Sequence, residues 1–223
     1  MGDIHRFAEL KKYSTKTYGM HQSAMIDSLS GNAMVEVEVA NDVEGGMCGT
    51  LVVYWLKEML TTRQDSWFLP RHVSFMDKKD AKQQTQKFHN LMAGFLAPKH
   101  AEYHRLRKKG DSRPCLLILA PDVPGKMSAK VKVDSMDIKD LEAFGFKASR
   151  GYYVTLICEH ARHAVGIFGQ AGGKITFFDP NAGEYEISGI QWGHFIEVYK
   201  EIIETKTSWG TIKSVRLSSA RVG

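Results

Sequence analysis

Two hydrophobic patterns divide the chain. From Gly49 to about Thr61 the apolar residues Leu51, Val52, Val53, Trp55, Leu56, Met59 and Leu60 run almost unbroken. That density predicts a helix buried on most of its circumference, with Cys48 at its first turn and the pair Gly45-Gly46 leading in. From Gly151 onward the pattern becomes strand-like: Tyr152 to Cys158, His163 to Phe168, Lys174 to Phe178 and Tyr185 to Ile187. A helix from Trp192 to Ile203 and a last strand from Thr211 to Leu217 follow. Before the Cys48 helix, Ile4 to Tyr13 predicts a short helix and Ser14 to Gly31 a loose polar stretch. Met34 to Val39 alternates strictly, as a strand with one wet face does. Lys78 to Phe95 predicts a helix with Phe88, Leu91, Met92 and Phe95 at core spacing. Pro98 breaks it, and Ala101 to Lys109 forms a short basic helix. Cys115 to Leu119 reads as a central strand, Asp122 to Lys132 as a loop, and Ile138 to Phe144 as a helical turn or two. The sum is an α+β layout with helices packed on one side of an antiparallel sheet. Residues 1–30 form a loose N-terminal segment and 31–223 a single domain.

Composition narrows this only a little. The chain has 223 residues, 43% hydrophobic and 25% charged, enough for one full-sized core. No apolar run approaches membrane-spanning length and no signal core follows Met1, which predicts a soluble chain. Three cysteines at wide spacing fit neither a disulfide framework nor a metal site, and no cofactor or metal is expected. The net charge of +5 is a mild excess, concentrated between Lys78 and Arg113. With few interleaved aromatic residues and no nucleic-acid motif, that stretch reads as a solvated helix face and not as a nucleic-acid surface.

The candidate chemistry begins at Cys48. A thiol at a helix start faces unpaired backbone N–H groups and the positive end of the helix dipole, which favour thiolate. Cys115 and Cys158 sit in apolar runs and read as inert core thiols. A base for Cys48 comes from the hairpin in which His163 to Phe168 and Lys174 to Asp179 flank the glycine-rich Gly169 to Gly173. If Phe168 pairs with Lys174, His163 lies directly opposite Asp179, Val165 opposite Phe177, and Ile167 opposite Ile175. A carboxylate there holds one imidazole nitrogen and frees the other to activate a thiol. The apolar stripe beneath the pair can pack on a buried helix such as the one Cys48 opens. His160, in a polar turn with Glu159 and Arg162, is the rival base and is set aside.

These residues resemble the YopT/AvrPphB cysteine peptidases, papain-like enzymes that bacteria inject into host cells. The resemblance lies in Gly46, Cys48 and Trp55; in His163, Ala164 and Val165; and in Phe177-Phe178-Asp179-Pro180-Asn181 with Gly183, Glu184 and Tyr185. It covers about a fifth of the chain. It implies a papain-like fold, with a helical part carrying the nucleophile packed on a sheet carrying His and Asp. It also implies Cys48 as nucleophile, His163 as general base and then acid, and Asp179 as orienter. The family carries an oxyanion-hole Asn or Gln five or six residues before its nucleophile. This chain has Val43 and Asp42 there, and Asn41 one residue further back is the nearest candidate.

The resulting expectation is a thiol protease of host proteins, secreted by a bacterium and acting in the host cytoplasm. The same triad would serve a protein glutamine deamidase or transglutaminase. A basic binding module without catalysis is the alternative of a different class. The oligomeric state is not readable from the sequence.

Overall fold

The computed structural model describes residues 4–18, 47–62, 97–110, 116 and 127–222. A 3₁₀ segment, Ile4–Lys12, leads into β1 (Thr15–Tyr18). Then come α1 (Cys48–Thr62), α2 (Ala97–Lys108), β2 (Met127–Met136) and α3 (Ile138–Glu142). The second half runs β3 (Arg150–Cys158), β4 (Arg162–Gly169), β5 (Lys174–Asp179), β6 (Gly183–Ser188), α4 (Trp192–Lys206) and β7 (Ile212–Val222). Among the described residues these strands form one seven-stranded sheet, ordered β1-β6-β5-β4-β3-β7-β2. Every neighbouring pair is antiparallel. No helix among the described residues is long and apolar enough to cross a membrane.

The sheet is covered on both faces, not on one as the pattern predicted. Successive residues of a strand point to opposite sides, and Phe177 and Phe178 make this visible. Phe178 stacks on Trp55 of α1, with ring centroids 5.4 Å apart. Phe177 packs on Phe195 and Tyr199 of α4, at 5.1 and 5.0 Å. The stripe of Val165 and Ile167 joins the α4 side, with Phe7, Leu10, Leu141 and Trp192. It does not lie under α1 as expected. Residues adjacent to that stripe meet α1, because α1 needs bare backbone beneath its large side chains. A Cβ on Gly166 would lie 2.6 Å from the Trp55 ring, and one on Gly151 would lie 2.9 Å from Leu56.

Several local expectations change. Part of the polar stretch after Ser14 is strand β1, which pairs with β6, while Phe7 and Leu10 enter the core. Met127–Met136 is a strand whose first part, to Lys132, was expected as loop, because pairing with β7 outweighs the nearby Pro124 and Gly125. Pro98 lies inside the first turn of α2 and does not precede it. A first-turn N–H has no intrahelical partner, so proline costs little there. Of the run Cys115 to Leu119, only Leu116 is described, and it is helical and buried. The Met34 to Val39 strand and the Lys78 to Phe95 helix lie outside the described residues.

Candidate active site

Cys48 is the first residue of α1, and the Leu51 N–H closes the first turn on the Met47 carbonyl at 3.0 Å. Its thiol is half-buried and hydrogen-bonds His163, with a further bond from the backbone of Ala164. Those two residues begin β4, so the helix start and the strand start meet here. Met47, Leu51, Val52 and Trp55 are all buried, which anchors the helix that carries the thiol.

His163 and Asp179 are hydrogen-bonded, Nε2 to Oδ1 at 2.8 Å, and both are buried. They are not direct cross-strand partners. The β4–β5 ladder pairs Gly166 with Phe178, Ile167 with Phe177, Phe168 with Thr176 and Gly169 with Ile175. In that register Asp179 falls opposite Val165, and His163 is its diagonal neighbour on the same face. The reason is the turn. Gly172 and Gly173 both have positive φ, 72° and 73°, and the Gln170 N–H bonds the Lys174 carbonyl at 2.8 Å. Consecutive left-handed glycines reverse the chain in fewer residues than the expected loop, moving the partner strand along by two. Parity is unchanged, so the contact survives.

Asp179 is saturated with donors. Besides His163, Oδ1 accepts the Asn181 N–H at 2.7 Å, and Oδ2 accepts the Tyr199 O–H at 2.7 Å. The first of these comes from the Asp-Pro-Asn turn, in which an Asp side chain caps the backbone two residues on. Trp209 lies beside the imidazole with ring centroids 4.6 Å apart. Its position is set from the β3–β4 turn, where the His160 N–H bonds the Trp209 carbonyl at 2.9 Å and the Glu159 N–H bonds that of Thr211 at 3.0 Å. His160 itself is exposed in that turn.

These contacts decide the charges. Burial opposes a thiolate at Cys48, but the hydrogen bond and charge of His163 and the Ala164 backbone outweigh it and hold the thiol below its ordinary 9.0. Burial likewise opposes an imidazolium at His163, yet the charge and hydrogen bond of Asp179, with help from Cys48, push it up to about 10. Burial would raise Asp179, but His163, Tyr199 and the Asn181 N–H hold its carboxyl below the usual carboxylate range. All three shifts run in the direction that favours thiolate, imidazolium and carboxylate over their neutral forms. With Nε2 committed to Asp179, Nδ1 is the imidazole nitrogen left for the thiol. Cys158 behaves oppositely: burial, with the charge of Glu204, pushes its thiol up to about 11.

Cys48 is thus brought to the hairpin that carries His163 and Asp179, far along the chain from it, while Asn41 and Cys115 lie outside the described residues. Tyr199 and Trp209 were missed. Tyr199 occupies a core position of a helix, and only the O–H on an apolar face marks it. Among the described residues no group of three or more His, Cys, Asp or Glu could hold a metal ion.

No family model matches the chain, and neither does any curated protein. Among solved structures it is similar to the Pseudomonas avirulence protein AvrPphB, at 14% identity and a TM-score of 0.57. The match covers 87% of this chain and 100% of that one. What the two share is the fold: helices together with an antiparallel sheet.

Proposed function

We propose that the chain is a cysteine-dependent acyl-transfer enzyme, a bacterial effector thiol protease acting on host proteins in the host cytoplasm. The observation that supports this most is the hydrogen-bonded row from the Cys48 thiol through His163 to Asp179, with the thiol held below its ordinary value. The fold shared with an avirulence protein agrees with it, as does the resemblance of the Cys48, His163 and Asp179 segments to the YopT/AvrPphB cysteine peptidases.

In this reading the Cys48 thiolate attacks the carbonyl carbon of a peptide bond, and a C–S bond forms. The oxyanion is met by the backbone N–H of Cys48 at the helix start, and Asn41 is the proposed second donor. On collapse the C–N bond breaks, and the His163 Nδ1 proton passes to the departing amine. A water then attacks the thioester and gives its proton to His163. The C–S bond breaks, the acid leaves, and thiolate and imidazolium are restored. Asp179 keeps the imidazole aimed throughout and stabilises its charged form whenever it carries the proton, without taking a proton itself.

The test incubates wild type and Cys48→Ala with host-cell lysate and reads new protein termini and intact masses. Termini that depend on Cys48 are expected. A Cys48-dependent gain of about one dalton at glutamine, as when an amide becomes an acid, would replace proteolysis by deamidation on the same nucleophile. No Cys48-dependent change of either kind would sink the enzyme reading.

A further inference from the structure

We infer that Tyr199 is a positioning residue for the Cys48–His163–Asp179 set: its phenol O–H fixes the orientation and charge of Asp179, and through them the reactivity of Cys48. The inference rests on the proposed reading of those three residues.

Asp179 is fully buried, at 0% exposure. A carboxylate in such a place keeps its charge only where donors replace its lost water. Oδ1 holds His163 and the Asn181 N–H, while Oδ2 receives the Tyr199 O–H at 2.7 Å. With short bonds on both oxygens the carboxylate plane cannot rotate, so Oδ1 stays on Nε2 of His163. The phenol cannot swing away either. Its ring is packed by Phe7 at 6.2 Å, Phe177 at 5.0 Å and Phe195 at 6.5 Å. Burial and the Asp179 charge keep the phenol protonated far beyond its ordinary 10.0, so it remains a donor at any working pH. Phenylalanine would fill the ring space equally well, and the neighbours Phe177 and Phe195 do so. The hydroxyl at 199 therefore answers to Asp179 and not to packing.

Iodoacetamide alkylation of Cys48, followed across pH by mass spectrometry of the intact chain, tests this without a known substrate. Tyr199→Phe should move the acidic limb of the rate profile up by about one pH unit, and so slow alkylation about tenfold on that limb. A fluorinated tyrosine at 199, a stronger donor of nearly the same shape, should move the limb down. It serves as the test even where the phenylalanine variant folds poorly. Phe195→Leu disturbs the same aromatic cluster without touching the hydrogen bond. It should lower the melting temperature and leave the profile in place. His163→Ala should shift the profile toward that of an ordinary thiol. If His163→Ala shifts it and neither Tyr199 variant does, the role of Tyr199 is overturned alone. That role is overturned equally if Phe195→Leu moves the limb as far as Tyr199→Phe. If His163→Ala leaves the profile unchanged, the Cys48–His163 pairing fails first.

Discussion

A carboxylate with no water around it, such as Asp179, is tolerable only as part of a set, and its charge, that of His163 and that of Cys48 stand or fall together. This has a consequence for stability that needs no substrate. The folded-state value of Asp179 lies below its ordinary 3.8, so its contribution is present above that pH and is lost as pH falls through the folded value. His163 is raised from 6.5 to about 10, so its contribution is complete below 6.5 and is lost as pH rises toward 10. The pair therefore stabilises the fold most between about pH 4 and 6.5. Asp179→Asn should cost on the order of 3 kcal/mol in that window, the range for removing one partner of a buried pair. The difference from wild type should shrink toward either extreme. Urea denaturation of both proteins over pH 3 to about 10 checks this, and a pH-independent difference would contradict the coupled charges.

At the scale of elements, the site depends on how closely α1 approaches β4. Gly166 makes that approach possible, since Trp55 occupies the space where a side chain would be. Trp55 is itself held, stacked on Phe178 and donating Nε1–H to Glu184 at 2.9 Å. It cannot move aside cheaply. Gly166→Ala should therefore destabilise by about 1–3 kcal/mol, the usual cost of overpacking, read as a lower urea midpoint with an unchanged slope. A second element-level device is the clamp between the β3–β4 turn and the start of β7. Gly210 has φ of 73° and a Cβ there would lie 2.9 Å from Glu159, so the backbone passes where only glycine fits. That passage keeps Trp209 against His163.

For the whole molecule, one sheet serves as the floor of two layers. Its central strands contribute alternate residues to the α1 face and to the α4 face, so neither layer can melt while the other keeps its packing. Unfolding should be a single transition in which far-UV circular dichroism and tryptophan fluorescence coincide, since Trp55 reports one layer and Trp192 and Trp209 the other. Separated transitions would show that the layers are independent. The 3₁₀ segment Ile4–Lys12 belongs to this unit. Phe7 stacks on Tyr199, and Lys206 pairs with Glu9 at 2.6 Å, tying the beginning of the chain to the helix behind Asp179.

What could be read in advance was what neighbouring residues decide among themselves. The apolar run behind Cys48, the alternating strands after Gly151 and the Asp-Pro-Asn turn are local patterns, and each appears within a few residues of its expected bounds. Strand parity put His163 and Asp179 on one face, and the resemblance of their segments and of the Cys48 segment to a cysteine-peptidase family completed the choice of the three. The tertiary structure decided everything that depends on distant partners. The β4–β5 register moved by two residues because two glycines adopted left-handed φ in the turn, a state sequence permits without requiring. Strands β1 and β2 exist because β6 and β7 lie beside them, since a strand gains its hydrogen bonds only from a neighbour. The helices took both faces of the sheet because glycines on one face admitted α1 while large aromatic residues on the other met α4. Tyr199, far along the chain from Asp179 and written as one more aromatic position in a helix, acquired its place beside the carboxylate only through that packing.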